Sequence, residues 1–160
     1  MNLGVTTSKQ IQLGEITISL ESGKIAKQAN TVILRMGDLV VLASAVGENK
    51  PKAGLDFFPL LIDYREKYYS AGKVPGGYQK REGRPTDHEI ITARTIDRPL
   101  RPLFPEGFKN ETSINILLLS SSLTHEADVF AINAASFPLA ISHHSIMGAN
   151  SSNWMDFVLE

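Results

Sequence analysis

The 160-residue chain is long enough for one domain with a hydrophobic core, and its 42% hydrophobic and 21% charged residues are typical of a folded protein. The absence of cysteine excludes disulfides, thiolate nucleophiles and cysteine-ligated metals. The apolar runs are shorter than the roughly 20 residues of a membrane-spanning helix, and the first residues lack the apolar core of a secretory signal, so we expect a soluble protein. A cytoplasmic location is expected, or a mitochondrion or chloroplast if the source is eukaryotic.

The first third of the chain has the pattern of β-strands. Alternating apolar and polar residues over 10–21 predict one strand that leads into a turn at 22–24. Two β-branched runs within 30–48 flank Met36-Gly37-Asp38 and predict a hairpin, whose second strand is apolar enough to be central in a sheet. A further extended segment is predicted at about 56–66.

A long loop and a helix follow. Residues 70–86 are rich in glycine and proline and lack periodicity, and connections of that length are often functional. Thr86 or Asp87 is the expected N-cap of a helix over about 87–99, with Pro99 and Pro102 as its terminators. The apolar residues of this helix form no single stripe, which predicts burial on much of its circumference.

The last part of the chain contains a predicted strand, "TSINILLLSS", and a mostly apolar helix from about residue 126 that is interrupted near Pro138. Strands, helix, strand and helix in this order predict an α/β or α+β domain.

Positive charge is concentrated in the middle of the chain. Residues 65–109 contain ten Lys or Arg and six Asp or Glu, although the net charge of the whole chain is −1. Arg94, Arg98 and Arg101 recur at helical spacing and would share one helix face, where their planar guanidinium groups suit phosphate oxygens. The alternative is that Asp97 pairs with Arg101, that Glu89 caps the helix, and that the arginines form a solvated face.

A second set of candidates lies in the loop. Tyr78 beside Lys80 and Arg81 has the combination of ring and cations that binds single-stranded nucleic acids. Neither a Walker motif nor a dinucleotide-binding fingerprint occurs. His143 and His144 have no third ligand at a suitable spacing, so no metal site is predicted, and no nucleophile with a matching base is found.

The segment "FFPLLIDYREKYYSAGKVPGGYQKREGRPTDHEIITARTIDRPLRPLFPEGF", residues 57–108, resembles the first RNase PH-like domain of the polynucleotide phosphorylase family. The likeness runs from about residue 10 to Ser142 and is most specific in "REGRP" and "DRPLRPLFPEGF". It implies an α+β fold of the RNase PH type (ribosomal protein S5 domain 2-like), with a mixed sheet packed against helices. The activity implied for the family is phosphate-dependent removal of nucleoside diphosphates from RNA 3′ ends, with Mg²⁺ and phosphate.

The same resemblance implies residue roles and partners. The loop at 78–81 would grip single-stranded RNA at the aperture of a homotrimeric ring, with one aromatic ring where relatives have two. No DNA or membrane partner is expected. The residues expected to contact RNA are Tyr78, Lys80, Arg81, Arg84, Arg94, Arg98 and Arg101.

The sequence also departs from the family. The phosphate-binding serine and metal-binding aspartates of the family belong to its second RNase PH-like domain, and the acidic cluster expected there is absent from this sequence. We therefore expect residues 1–142 to be the first domain, without catalytic or metal-binding residues, and residues 143–160 to be a disordered tail. The alternatives are a stand-alone, non-catalytic RNA-binding or assembly module, or a ring subunit similar to the archaeal exosome or RNase PH.

Overall fold

A computed structural model describes residues 6–26, 29–51, 54, 56–77 and 83–142. Within these residues the chain forms six strands, two α-helices and two short 3-10 helices. The strands are β1 (Thr7–Leu13), β2 (Ile16–Ser22), β3 (Asn30–Met36), β4 (Leu39–Pro51), β5 (Leu60–Glu66) and β6 (Asn110–Ser120); the helices are α1 (Asp87–Leu100) and α2 (Ala127–Ile141), and the 3-10 helices are Tyr68–Ala71 and Arg101–Leu103.

The six strands form one mixed sheet in the order β1-β2-β3-β4-β6-β5. All neighbours are antiparallel except β5 and β6, which run parallel. A parallel pair needs a crossover connection, and α1 lies in that connection and packs on β5. Helix α2 packs against β3, β4 and β6, so both helices cover the sheet and the predicted α+β class is confirmed.

The β3–β4 hairpin is confirmed, because Met36 pairs with Leu39 across a turn in which Gly37 has a φ of +58°. A residue with a side chain would be strained at that angle. The prediction of one strand over 10–21 is wrong. Gly14, with a φ of +61°, turns the chain and divides this region into β1 and β2, which pair with each other.

Helix α1 is buried on one face only. Its buried residues are Glu89, Thr92, Ile96 and Leu100, which recur at helical spacing. Ile91 is 64% exposed, so the prediction of burial around much of the circumference is wrong. The charged residue Glu89 is therefore buried, whereas the apolar residue Ile91 is exposed to solvent.

Helix α1 ends at Leu100, just before Pro102 and close to the predicted end, but the roles predicted for Pro99 and Pro138 need correction. Pro99 lies within α1, which continues to Leu100, and Pro138 lies within α2, which continues to Ile141. Each proline is close to the C-terminal end of its helix. None of the described helices is both long and apolar enough to cross a membrane.

The core lies between the sheet and the helices. Its largest fully buried side chains include Tyr64 of β5, Leu34 of β3, Ile96 of α1, Ile114 of β6 and Leu139 of α2. Because β5 and α1 share this core, the charged residues at their surfaces are held on a fixed frame.

Candidate nucleic-acid interface

The position of α1 is fixed by a carboxylate at its first turn. Thr86 is the N-cap, and its hydroxyl accepts a hydrogen bond from the Glu89 N–H, while Glu89 Oε2 accepts one from the Thr86 N–H at 2.7 Å. Glu89 Oε1 also accepts a hydrogen bond from the Glu66 N–H at 2.8 Å, at the end of β5. This capping box therefore ties the helix to the strand.

The environment of Glu89 favours its charged form. Burial alone would raise the pKa of this carboxyl, but hydrogen bonds from the backbone N–H groups of Thr86 and Glu66 and from the Thr86 hydroxyl, with the nearby Arg65 charge, lower the pKa below its ordinary value. Of the two N-caps predicted, Thr86 and not Asp87 is the residue found, and the Glu89 cap of the alternative interpretation is also present.

Arg94 and Arg98 are exposed and lie one turn apart on α1. Among the described residues neither has an ion-pair partner. Two guanidinium groups of this kind can each donate hydrogen bonds to a phosphate without first breaking an internal ion pair.

Arg101, which shares the spacing of these two arginines, has a different environment. Its Nε and Nη2 donate to the two carboxylate oxygens of Asp97 at 3.0 and 2.8 Å, and its Nη1 donates to the Phe58 carbonyl at 3.2 Å. The guanidinium carbon also lies 5.7 Å from the centre of the Phe58 ring. The structure thus contains the Asp97–Arg101 pair of the alternative interpretation, and this guanidinium is less available to a phosphate.

The segment that carries the most specific resemblance, "RPLFPEGF", forms an aromatic cluster. Phe104 and Phe108 lie 4.6 and 5.3 Å from Phe58, measured between ring centres, and 5.5 Å from each other. This cluster holds the end of α1 against the residues that lead into β5. Its contribution is therefore to packing, which also explains why Arg101 is placed over Phe58.

A groove of about 460 Å³ lies between β5 and α1. Among its lining residues are Arg94 and Arg101 but also Asp63, Glu89 and Asp97. Three carboxylates and two guanidinium groups do not make a strongly positive cavity. A polyanion is therefore better matched to the outward face of α1 than to this groove.

The remaining predicted contacts are only partly described. Arg84 is exposed just before α1. Tyr78, Lys80 and Arg81 lie outside the described residues, and so does the predicted tail at 143–160.

One group of side chains was not predicted from the sequence: Glu66, His88 and Asp128 meet at the ends of three elements. His88 Nε2 lies 3.2 Å from Asp128 Oδ2, and His88 Nδ1 lies 3.7 Å from Glu66 Oε1. Tyr64, in the core, donates a hydrogen bond to Glu66 Oε1 at 2.7 Å. Burial raises the pKa of Tyr64, and the hydrogen bond to Glu66 and the charges of Glu66, Asp128 and Glu89 raise it further. No local motif links these residues, because they are far apart in the sequence.

The chain was compared with known families and solved structures. Residues 16–144 match the model of the 3′ exoribonuclease family, domain 1. The polyribonucleotide nucleotidyltransferase of Parvibaculum lavamentivorans is 50% identical over 143 residues, which are 89% of this chain and 20% of that protein. That of a Jannaschia species is 53% identical over 135 residues, which are 84% of this chain and 19% of that protein.

These figures mean that the chain spans about a fifth of the length of the curated relatives it matches. A structure described as the Archaeoglobus fulgidus exosome with RNA bound to the active site is similar in fold, with a TM-score of 0.55 and 16% identity. The structural match covers 95% of this chain and 56% of the exosome chain. The match over residues 16–144 and the mixed sheet with its two helices agree with each other. The chain therefore belongs to the 3′ exoribonuclease, or RNase PH, family and corresponds to its domain 1.

Proposed function

We propose that this chain is the RNA-binding first domain of a phosphorolytic 3′-to-5′ exoribonuclease, and that its contribution is an RNA and ring-assembly surface. The observation that carries the proposal is the pair Arg94 and Arg98, exposed one turn apart and without an ion-pair partner among the described residues. The relatives at about half identity are polyribonucleotide nucleotidyltransferases, and the exosome structure of similar fold contains RNA, which supports the same function.

The proposed RNA surface extends from α1 towards the loop that precedes it. Arg84 lies in the described end of this loop, just before α1. In the proposal it contacts the same RNA, as do Tyr78, Lys80 and Arg81, which lie outside the described residues. Phosphate attraction would give most of the affinity, and the one ring at Tyr78 would stack on a base. Arg101 belongs to this surface by spacing, but its bonds to Asp97 and Phe58 make it a positioning residue in the proposal.

Further parts of the proposal concern the whole protein. The proposal takes residues 1–142 as the domain, residues 143–160, which lie outside the described residues, as departing from the family, and the intact protein as a cytoplasmic homotrimer. Phosphate would be the second substrate of the whole enzyme, and Mg²⁺ its metal cofactor. Because the resemblance assigns the metal-binding aspartates to a second domain, no step of phosphorolysis is assigned to residues of this chain. A stand-alone RNA-binding module would use the same arginines.

The test is a titration of a labelled single-stranded oligonucleotide at several salt concentrations. Each neutralised phosphate on a single strand contributes roughly 0.7 to the slope of log affinity against log salt concentration. The double variant Arg94→Gln/Arg98→Gln should bind all sequences more weakly, with a slope flatter by about 1.4.

Two control variants make this test specific. Lys9→Gln removes an exposed cation from β1, at the opposite edge of the sheet from β5, and should leave the slope unchanged. Arg101→Gln should alter the slope less than the Arg98→Gln single variant. An unchanged slope in the Arg94→Gln/Arg98→Gln variant would contradict the proposal and would mean that these arginines form a solvated helix face that does not contact RNA.

A further inference from the structure

We propose that Glu66, His88 and Asp128 form a binding site for a divalent transition-metal ion of the Zn²⁺ class. Glu66 is the last residue of β5, His88 is in the first turn of α1, and Asp128 is in the first turn of α2. The site is independent of the proposed RNA surface, because none of these three residues belongs to that surface.

The distances suit a metal of this size. One ligand atom from each of the three residues lies within 4.8 Å of the other two. Zinc bonds of about 2.0–2.2 Å in a tetrahedron place neighbouring ligand atoms about 3.3–3.6 Å apart. The 3.2 Å separation of His88 Nε2 and Asp128 Oδ2 is within about 0.1 Å of the lower end of that range.

The remaining adjustment is open to the side chains. Those of His88, Asp128 and Glu66 are 59%, 41% and 35% exposed, so small rotations can bring the third ligand inward without repacking the core. One imidazole and two carboxylates leave a fourth position for water. A nitrogen ligand favours a first-row transition metal over Mg²⁺ or Ca²⁺, which prefer oxygen alone.

The surroundings of the three ligands support a cation rather than a chance contact. The Tyr64 hydroxyl holds Glu66 Oε1 by the 2.7 Å hydrogen bond described above, which is the outer-sphere contact that orients a metal-binding carboxylate. Of the ion pairs that the described residues form, those of Glu66 and Asp128 are with His88 alone. Within the part of the chain that the structure describes, no lysine or arginine pairs with either carboxylate, so their negative charge is balanced by His88 alone.

A metal at this point would join three elements that are far apart in the sequence. It would fasten the end of β5 to the starts of α1 and α2, where α1 also carries the capping box. Because the metal would bind the folded chain and not the unfolded chain, its binding would stabilise the fold.

The test uses the full 160-residue chain, freed of metal by a chelator and titrated with Co²⁺. We expect one Co²⁺ per chain with the visible absorption of a low-coordinate site, displacement of that absorption by Zn²⁺, and a melting temperature that rises with added Zn²⁺. His88→Ala should abolish the absorption, and because His88 is exposed this variant should fold.

Further variants separate the site from adventitious binding. Tyr64→Phe keeps the ring but removes the outer-sphere hydroxyl, and should weaken Co²⁺ binding by about 10–100-fold. His125→Ala, and a His143→Ala/His144→Ala double variant, should bind as the wild type does. Absence of the Co²⁺ absorption in the wild type, or its persistence in His88→Ala with loss in the double variant, would overturn the proposal.

Discussion

Glu89 shows how one side chain can fix the geometry of a surface that it does not belong to. It is 6% exposed, yet each of its oxygens accepts hydrogen bonds, from Thr86 on one side and from the Glu66 backbone on the other. The carboxylate thereby sets where α1 begins relative to the end of β5. The hydrogen bond between Glu89 and the Glu66 backbone therefore also determines where Arg94 and Arg98, further along α1, lie relative to β5.

Replacement of Glu89 by glutamine should destabilise the fold at neutral pH by about 1–3 kcal/mol, because a neutral amide cannot accept the same set of hydrogen bonds. The pKa of Glu89 is lower in the folded state than its ordinary value of 4.5, so its charged form stabilises the fold above that value. This contribution is lost as the pH falls through the folded pKa. Urea unfolding at several pH values should show the difference between wild type and Glu89→Gln shrinking below about pH 4.5.

The matched control is Glu106→Gln, since Glu106 is exposed. Its effect should stay within about 0.5 kcal/mol at every pH. A difference between wild type and Glu89→Gln that is independent of pH would contradict the role given to the charge.

At the scale of the element, α1 has a buried face of mixed chemistry and an exposed face that contains an isoleucine. Apolar periodicity alone misplaces this helix, because Glu89 and Thr92 lie on its buried face while Ile91 faces outward. The capping box explains Glu89, whose burial is compensated by hydrogen bonds. The face that packs on β5 is thus decided by hydrogen bonding as well as by hydrophobicity.

Two alanine substitutions on α1 test this orientation. Ile96→Ala removes a side chain that is 0% exposed and should lower the free energy of unfolding by about 2–5 kcal/mol through the cavity it leaves. Ile91→Ala removes the same atoms from a site that is 64% exposed and should change it by no more than about 0.5 kcal/mol. Denaturant unfolding of the two variants compares them directly, and equal effects would mean that the helix is rotated.

At the scale of the whole molecule, the chain spans about a fifth of the length of its curated relatives. The described sheet and helices form domain 1 of the family, and the proposed RNA surface lies on one helix of that domain. Under this proposal, RNA binding by the isolated chain can be measured separately from phosphorolysis.

The isolated chain should not release nucleoside diphosphates from RNA when phosphate and Mg²⁺ are supplied. Arginines can position a phosphate, but they do not replace a metal ion that neutralises charge on the transferring group and its leaving group. Thin-layer chromatography of the products from labelled RNA would measure this, with the Parvibaculum lavamentivorans relative as a positive control. Phosphorolysis by a highly purified sample that disappears in the Arg94→Gln/Arg98→Gln variant would contradict the prediction.

The sequence by itself determined the features that depend on neighbouring residues. The hairpin at Gly37, a helix cap at Thr86 or Asp87, and the Asp97–Arg101 pair as one of two alternatives follow from local dihedral preferences and helical spacing, which act over a few residues. The motif around "DRPLRPLFPEGF" also identified the family. The strand boundaries were not determined in the same way, because the turn at Gly14 divides the single strand predicted over 10–21 into β1 and β2.

Only the tertiary structure decided which distant residues meet. The parallel pairing of β5 with β6 and the bond from Arg101 to the Phe58 carbonyl join segments that are far apart in the chain. The meeting of Glu66, His88 and Asp128 depends on how two helices pack against the sheet. Such contacts come from the shared core and from burial of the whole sheet face, and no local pattern in one sequence encodes them.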